Sequence, residues 1–116
     1  MELKELALRT REEIEQELDK MCPLPEDSQN PDEYDQVFEK RVEIRKSILR
    51  LQVEALLDGK LTVDQVVDQI HSEEPNENLD IDRIHRDILE KALEEFKEGK
   101  DRSEIIEETF NALELL

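Results

Sequence analysis

The chain has 116 residues, enough for one hydrophobic core of modest size and too few for two independent cores. We therefore predict a single acidic helical domain over residues 1–116. Thirty-three acidic residues oppose sixteen basic ones, and the formal net charge of −17 repels nucleic acid backbones and anionic membranes. We expect no direct binding to nucleic acid or membrane, and the negative field favours another protein with a basic surface as partner.

The cysteine content and the first residues indicate a compartment. Cys22 is the only cysteine, so no internal disulfide can form and an oxidising compartment is not implied. The opening residues, MELKELALRTREE, carry charges throughout and lack the apolar core of a signal peptide. No stretch reaches the length of a membrane span. We therefore expect a cytoplasmic protein.

Long uninterrupted stretches rich in Leu, Glu, Lys, Arg and Ala predict an all-α chain. The first helix is predicted over about residues 2–20, with a narrow apolar stripe at helical spacing formed by Leu3, Leu6, Ile14, Leu18 and Met21. Prolines in the segment MCPLPEDSQNP then break the helix, because proline lacks a backbone donor and disfavours helical conformation in the residue before it.

The segment NPDE predicts the start of the next helix. Asn30 can cap it, Pro31 suits its first turn, and Glu33 can complete a capping box. We expect this helix to run from about Pro31 to Asp58 as the central element, because its apolar stripe widens toward the C-terminal end. The stripe consists of Tyr34, Val37, Phe38, Val42, Ile48, Leu49, Val53, Leu56 and Leu57.

A Gly-Lys pair follows the central helix. Gly59 stands where a left-handed C-cap residue is expected. Thr62 and Gln65 then predict a capping box that opens a short helix over about Val63–His71. Leu61 is expected to pack against this short helix.

The remaining elements repeat this arrangement. Asp80 is predicted to cap a helix over about residues 80–98, which carries apolar residues at a regular i, i+3, i+4 spacing. Gly99 ends that helix, and the segment DRSE, from Asp101 to Glu104, predicts a second capping box before the last helix.

The segments LLDGKLTVDQVVDQI and FKEGKDRSEIIEETF lie forty positions apart and resemble each other. Each copy is predicted to form a hairpin of a long helix, a Gly-Lys turn and a short helix, which cannot bury its apolar face alone. We therefore predict a small helical bundle of about five helices built around two helix-GlyLys turn-helix hairpins, with the long helices side by side. A true duplication stays open, because any two hairpins with a glycine C-cap share these features.

One short segment resembles part of an enzyme motif. EEFKE, from Glu94 to Glu98, is similar to the EExxE half of the pattern with which all-α nucleoside triphosphate pyrophosphohydrolases of the MazG type hold magnesium. The resemblance implies metal-dependent nucleotide hydrolysis. The second carboxylate pair of those enzymes, of the ExxD kind, is missing after Glu98, so a MazG-like hydrolase is a disfavoured alternative.

Other candidate ligands lack the spacing of a known site. His71, His85 and Cys22 show no CxxC or HxxxH pattern, and the two histidines are expected at the surface or at helix ends. The acidic segment 73–82 lacks the glycine and the closing glutamate of an EF-hand loop. We therefore predict no catalytic residues, no cofactor and no metal.

The favoured interpretation is a non-enzymatic adaptor or regulatory subunit that binds another protein through an exposed apolar contact. The expected contact residues are Leu24, which lies between two prolines, and, near the C-terminus, Phe110, Leu113, Leu115 and Leu116. A homodimer would cover Leu115 and Leu116 and is a further expectation. The alternative is a nucleic-acid mimic, whose ordered carboxylates occupy the basic groove of a DNA- or RNA-binding protein.

Overall fold

The structure is a computed structural model that describes residues 2–23, 31–70 and 79–114. Within these ranges the chain forms helices and no strand, so the predicted all-α fold is confirmed. The helices are α1 (Leu3–Leu6), α2 (Arg11–Met21), α3 (Pro31–Leu57), α4 (Val63–Ile70), α5 (Leu79–Lys97) and α6 (Arg102–Glu114).

The predicted continuous helix over residues 2–20 is wrong. The chain leaves the helical conformation after α1 and restarts at α2, with Thr10 as the N-cap residue. The Thr10 Oγ1 atom accepts a hydrogen bond from the backbone N–H of Glu13 at 3.3 Å. Thr10 and Glu13 have the spacing of a capping box, which marks the start of a second helix although the apolar spacing continues.

The other helix boundaries lie close to their predicted positions. α3 ends one residue before the predicted Asp58, and α4 ends one residue before His71. α5 begins at Leu79, so Asp80 lies in its first turn and is not the N-cap residue. The predicted cap at Asn30 falls outside the described residues.

The prediction that a glycine in the left-handed conformation ends each long helix is confirmed, with φ of +80° at Gly59 and +90° at Gly99. In each turn the glycine N–H bonds to the carbonyl three residues earlier and the lysine N–H to the carbonyl five residues earlier, which is a Schellman motif. The four bonds are Gly59 to Leu56 (3.2 Å), Lys60 to Ala55 (2.9 Å), Gly99 to Phe96 (3.2 Å) and Lys100 to Glu95 (3.1 Å).

The two hairpins diverge immediately after these turns. α4 begins four residues after Gly59, whereas α6 begins three residues after Gly99. The predicted capping box of α4 is present: Thr62 N–H donates to Gln65 Oε1 at 2.9 Å, and Gln65 N–H donates to Thr62 Oγ1 at 3.2 Å. The short helices therefore correspond at an offset of thirty-nine residues, so the gap-free repeat holds only as far as the turns.

The central helix α3 packs against two apolar clusters. Its C-terminal half joins α4, α5 and α6 in a cluster that includes Val53, Leu56, Val66, Leu89 and Ile105. Its middle, at Ile48, packs against Leu6, Ala7, Ile14 and Leu18 from the N-terminal segment. α3 contacts α5, and each short helix contacts both long helices. The prediction that the two long helices pack side by side is therefore confirmed.

Basic side chains join neighbouring helices through ion pairs. Pairs that link different elements include Arg45–Glu15, Lys46–Glu114, Arg50–Glu107, Arg86–Asp64 and Arg102–Asp58. Because basic residues are half as numerous as acidic ones, this pairing leaves an excess of carboxylates on the surface. Of the helices in the described ranges, none is both long enough and apolar enough to cross a membrane.

Candidate protein-binding site

The residues predicted as partner contacts do not form one exposed surface. Phe110 is 7% exposed and Leu113 is 5% exposed. The guanidinium carbon of Arg50 lies 4.8 Å from the centre of the Phe110 ring, and Leu113 belongs to the cluster between the hairpins. Burial removes the exposure on which the prediction for these two residues rested. The other three residues lie outside the described ranges: Leu24, Leu115 and Leu116.

The carboxylates of the EEFKE segment do not converge on one point. Glu94 and Glu98 are exposed, whereas Glu95 Oε2 accepts a hydrogen bond from Lys100 Nζ at 3.3 Å. Lys100 also donates to Glu108 at 3.0 Å, and the bonds to Glu108 and Glu95 raise the pKa of Lys100. In the described part of the chain no three His, Cys, Asp or Glu side chains come together to hold a metal. The segment therefore gives the MazG-type resemblance no geometric support.

The prediction for the histidines is wrong for His85, which is buried in the middle of α5. Burial follows from its position on the helix, four residues before the fully buried Leu89 and on the same face. Cys22 is also buried, at the C-terminal end of α2. His71 lies outside the described residues.

A groove of about 810 Å³ lies between α2, α3 and α4. Apolar side chains from all three helices line it: Ile14, Phe38, Val42, Ile48, Leu49 and Ile70. Its polar lining includes three arginines and two carboxylates: Arg11, Arg41, Arg45, Glu15 and Asp19. We call this cavity the α2–α4 groove.

One wall of the groove is fixed by the buried Arg41. Its Nη1 donates to Asp19 Oδ1 at 2.9 Å and to the Cys22 carbonyl at 3.0 Å, and its Nη2 lies 3.6 Å from Glu15 Oε2. Arg45, one turn further along α3, also pairs with Glu15. Because later residues of α3 meet earlier residues of α2, the two helices run antiparallel along the groove.

Gln69, near the end of α4, lines the groove at the end where α2 begins. Its Nε2 donates to the backbone carbonyls of Ala7 at 3.0 Å and Arg9 at 2.5 Å, in the break between α1 and α2. The other amide atom, Oε1, is buried and accepts no hydrogen bond from any group in the described ranges. Gln69 therefore carries an unused acceptor among the groove-lining residues.

An exposed aromatic pair extends the groove along α3. The rings of Tyr34 and Phe38 stack with centroids 6.3 Å apart and planes inclined by 10°. Tyr34 is 39% exposed and Phe38, which also lines the groove, is 50% exposed. At 3.6 residues per turn, Tyr34 lies on the same face of α3 as the groove-lining Phe38, Val42 and Leu49. The apolar surface is thus continuous from the groove to the exposed start of α3.

The chain matches no protein-family model, no curated protein and no solved structure. Its fold and its surface define an acidic all-α bundle with an apolar groove.

Proposed function

We propose that the chain is a non-enzymatic protein-protein interaction adaptor or regulatory subunit, which binds its partner in the α2–α4 groove. The observation that carries the proposal is the exposed Tyr34–Phe38 pair, which leads directly into an apolar groove. Tyrosine and other aromatic side chains are enriched among the residues that contribute most to protein binding. This site replaces the buried Phe110 and Leu113 as the expected apolar contact.

The groove and the overall charge have different roles in this proposal. The excess of carboxylates accelerates the encounter with a basic partner, and this effect weakens as salt screens the charges. The apolar groove retains the partner after contact, because burial of apolar surface is insensitive to moderate salt. Cytoplasmic location remains part of the proposal and rests on the single free Cys22, which requires no oxidising compartment.

The test compares two exposed phenylalanines. Phe38 lines the groove and Phe96, 38% exposed on α5, does not. Wild type, Phe38→Ala and Phe96→Ala are immobilised, and proteins retained from an extract of the source cells are identified and then purified for affinity measurement. The proposal requires a protein that binds wild type and Phe96→Ala with equal affinity. The same protein should bind Phe38→Ala with an affinity at least about tenfold lower. Equal binding to all three chains would exclude the groove.

The second candidate function, a nucleic-acid mimic, has one specific observation in its favour. Asp87, Glu90 and Glu94 are exposed and lie along one side of α5, and the exposed Glu98 follows directly after the helix. A partner held by such a row of charges should lose most of its affinity between about 50 and 200 mM salt, and nucleic acid should compete for it. An adaptor should lose mainly association rate over the same range, since its apolar contact persists.

A further inference from the structure

The exposed start of α3 specifies the charge of the partner. Between residues 32 and 40, four acidic residues and one lysine give a net charge of −3. Asp32 and Glu33 lie in the first turn of α3, where negative charge is favoured by the helix dipole alone. Asp35 and Glu39 lie beyond that turn and flank the Tyr34–Phe38 pair, so the helix dipole does not account for them.

The groove itself is close to neutral where α2 covers α3. Arg41 and Arg45, on α3, are paired with Glu15 and Asp19 on α2. The negative charge next to the apolar surface is therefore concentrated at one end, beside Tyr34 and Phe38. An occupant needs apolar side chains along its length and positive charge at the end that covers the aromatic pair.

The length of the apolar surface fits a helix. From Tyr34 to Leu49 the axis of α3 rises roughly 22 Å, at about 1.5 Å per residue, which corresponds to about four helical turns of a partner lying alongside. An amphipathic helix laid into an apolar groove is a recurrent mode of peptide recognition. A second copy of this chain fits poorly, because its own exposed α3 segment would bring a further charge of −3 against the first.

We infer that the α2–α4 groove and the Tyr34–Phe38 pair bind an amphipathic helix of a partner protein whose basic residues lie over Asp35 and Glu39. This inference rests on the proposed function and adds the chemistry of the partner. Basic side chains over Asp35 and Glu39 gain opposite charge, while the apolar face of the helix covers Phe38, Val42 and Leu49.

The chain carries its own probe for a test. Tyr34 is its only tyrosine and it contains no tryptophan, so intrinsic fluorescence reports on the site itself. The ligand is a synthetic helical peptide of about 18 residues without aromatic residues, which carries leucines on one face and lysines toward one end. In a second peptide the lysines are replaced by glutamates. A third peptide has the same amino-acid composition as the first, but its residues are rearranged so that no apolar face forms.

The expected result is that the amphipathic lysine peptide binds wild type and changes Tyr34 fluorescence, whereas the other two peptides do not. Asp35→Asn with Glu39→Gln should weaken binding roughly 3- to 10-fold at low salt, because two exposed charge contacts are lost. The matched double variant Asp87→Asn with Glu90→Gln removes the same charge from α5 and should bind as wild type. Phe38→Ala should weaken binding about tenfold or more.

Several results would overturn the inference about charge while leaving the proposed function intact. These are equal binding of the lysine and glutamate peptides, failure of the lysine peptide to bind wild type, and equal weakening by the α3 and α5 double variants. If the lysine peptide without an apolar face bound as tightly as the amphipathic lysine peptide, the protein would be attracting net charge alone. Wild-type self-association that Phe38→Ala abolishes, measured by sedimentation, would assign the surface to a second copy. Failure of the proposed function itself is recognised separately, by a natural partner that binds Phe38→Ala as it binds wild type.

Discussion

The guanidinium of Arg102 holds both oxygens of the Asp58 carboxylate, with Nη2 donating to Oδ2 at 3.1 Å and Nη1 donating to Oδ1. Asp58 lies in the turn after α3, and Arg102 is the first residue of α6. The pair therefore connects the turn of the first hairpin to the short helix of the second. The hydrogen bond to Arg102 lowers the pKa of Asp58 below its ordinary value.

Replacement of Arg102 by glutamine should raise the pKa of Asp58 toward its ordinary value. A carboxyl group whose pKa is lowered in the folded state contributes stability above its unfolded pKa, about 3.9, and loses that contribution as pH falls through the folded value. Both side chains are substantially exposed, so the loss of stability at neutral pH should be about 1 kcal/mol or less. Carbon-detected NMR titration of the Asp58 carboxyl, with Arg86→Gln as a control that leaves Asp58 untouched, measures the shift. An unchanged Asp58 pKa in Arg102→Gln would contradict the assignment.

Alanine at Gly59 or Gly99 should destabilise the protein by about 1 kcal/mol. A Cβ atom at either position would meet no atom within 4 Å, so the expected cost comes from the positive φ and not from a clash. Asparagine tolerates the left-handed region better than alanine does, so Gly→Asn should cost less at the same positions. Denaturant unfolding of the four variants gives the comparison. Alanine variants as stable as wild type would show that these backbone conformations carry no strain.

Leu89→Ala should lower the free energy of unfolding by about 2–5 kcal/mol, because Leu89 is 0% exposed in the cluster between the hairpins. Leu49 is only partly buried beside the same cluster, so Leu49→Ala should cost less. Leu8, 41% exposed, provides the control, and Leu8→Ala should change stability by no more than about 0.5 kcal/mol. Thermal or denaturant unfolding measures these losses of stability. If Leu89→Ala lost as little stability as Leu8→Ala, Leu89 would lie outside the core.

The helix ends could be predicted from sequence because caps are local. Gly59 and Gly99 each need only the carbonyls of the preceding turn, and Thr62 needs only Gln65, three residues away. The break at Thr10 has the same kind of signal, but the apolar residues on both sides continue at helical spacing and conceal it. Local chemistry therefore determines where a helix stops more directly than the apolar pattern does.

Burial could not be predicted in the same way. Tyr34 and Phe38 continue the apolar face that buries Ile48, yet they are exposed because the N-terminal segment packs further along α3. Phe110 is buried because α6 packs against both long helices. The groove needs α2, α3 and α4 together, and no single helix indicates how its neighbours are placed. The candidate site therefore became visible only with the structure.

Arg41 should determine how firmly α2 is held against α3, and hence the shape of the groove. Its side chain is 8% exposed and donates hydrogen bonds to the Asp19 carboxylate and to the Cys22 carbonyl. The bond to the Cys22 carbonyl satisfies a buried acceptor. Arg41→Met keeps the apolar stem and removes the guanidinium, so we expect a loss of about 1–3 kcal/mol and faster hydrogen exchange of the α2 amides than of the α5 amides.

Two further variants separate geometry from charge at this position. Arg41→Lys keeps the positive charge but cannot reproduce the planar set of donors, so it should recover only part of the lost stability. Arg45→Met removes an equal charge from the neighbouring turn of α3, where the side chain is 51% exposed, and should change stability by no more than about 0.5 kcal/mol. Hydrogen exchange followed by mass spectrometry resolves α2 from α5 in all three variants. If α2 in Arg41→Met exchanged as slowly as in wild type, apolar packing of Ile14 and Leu18 alone would hold α2, and the ion cluster would have no part in forming the groove.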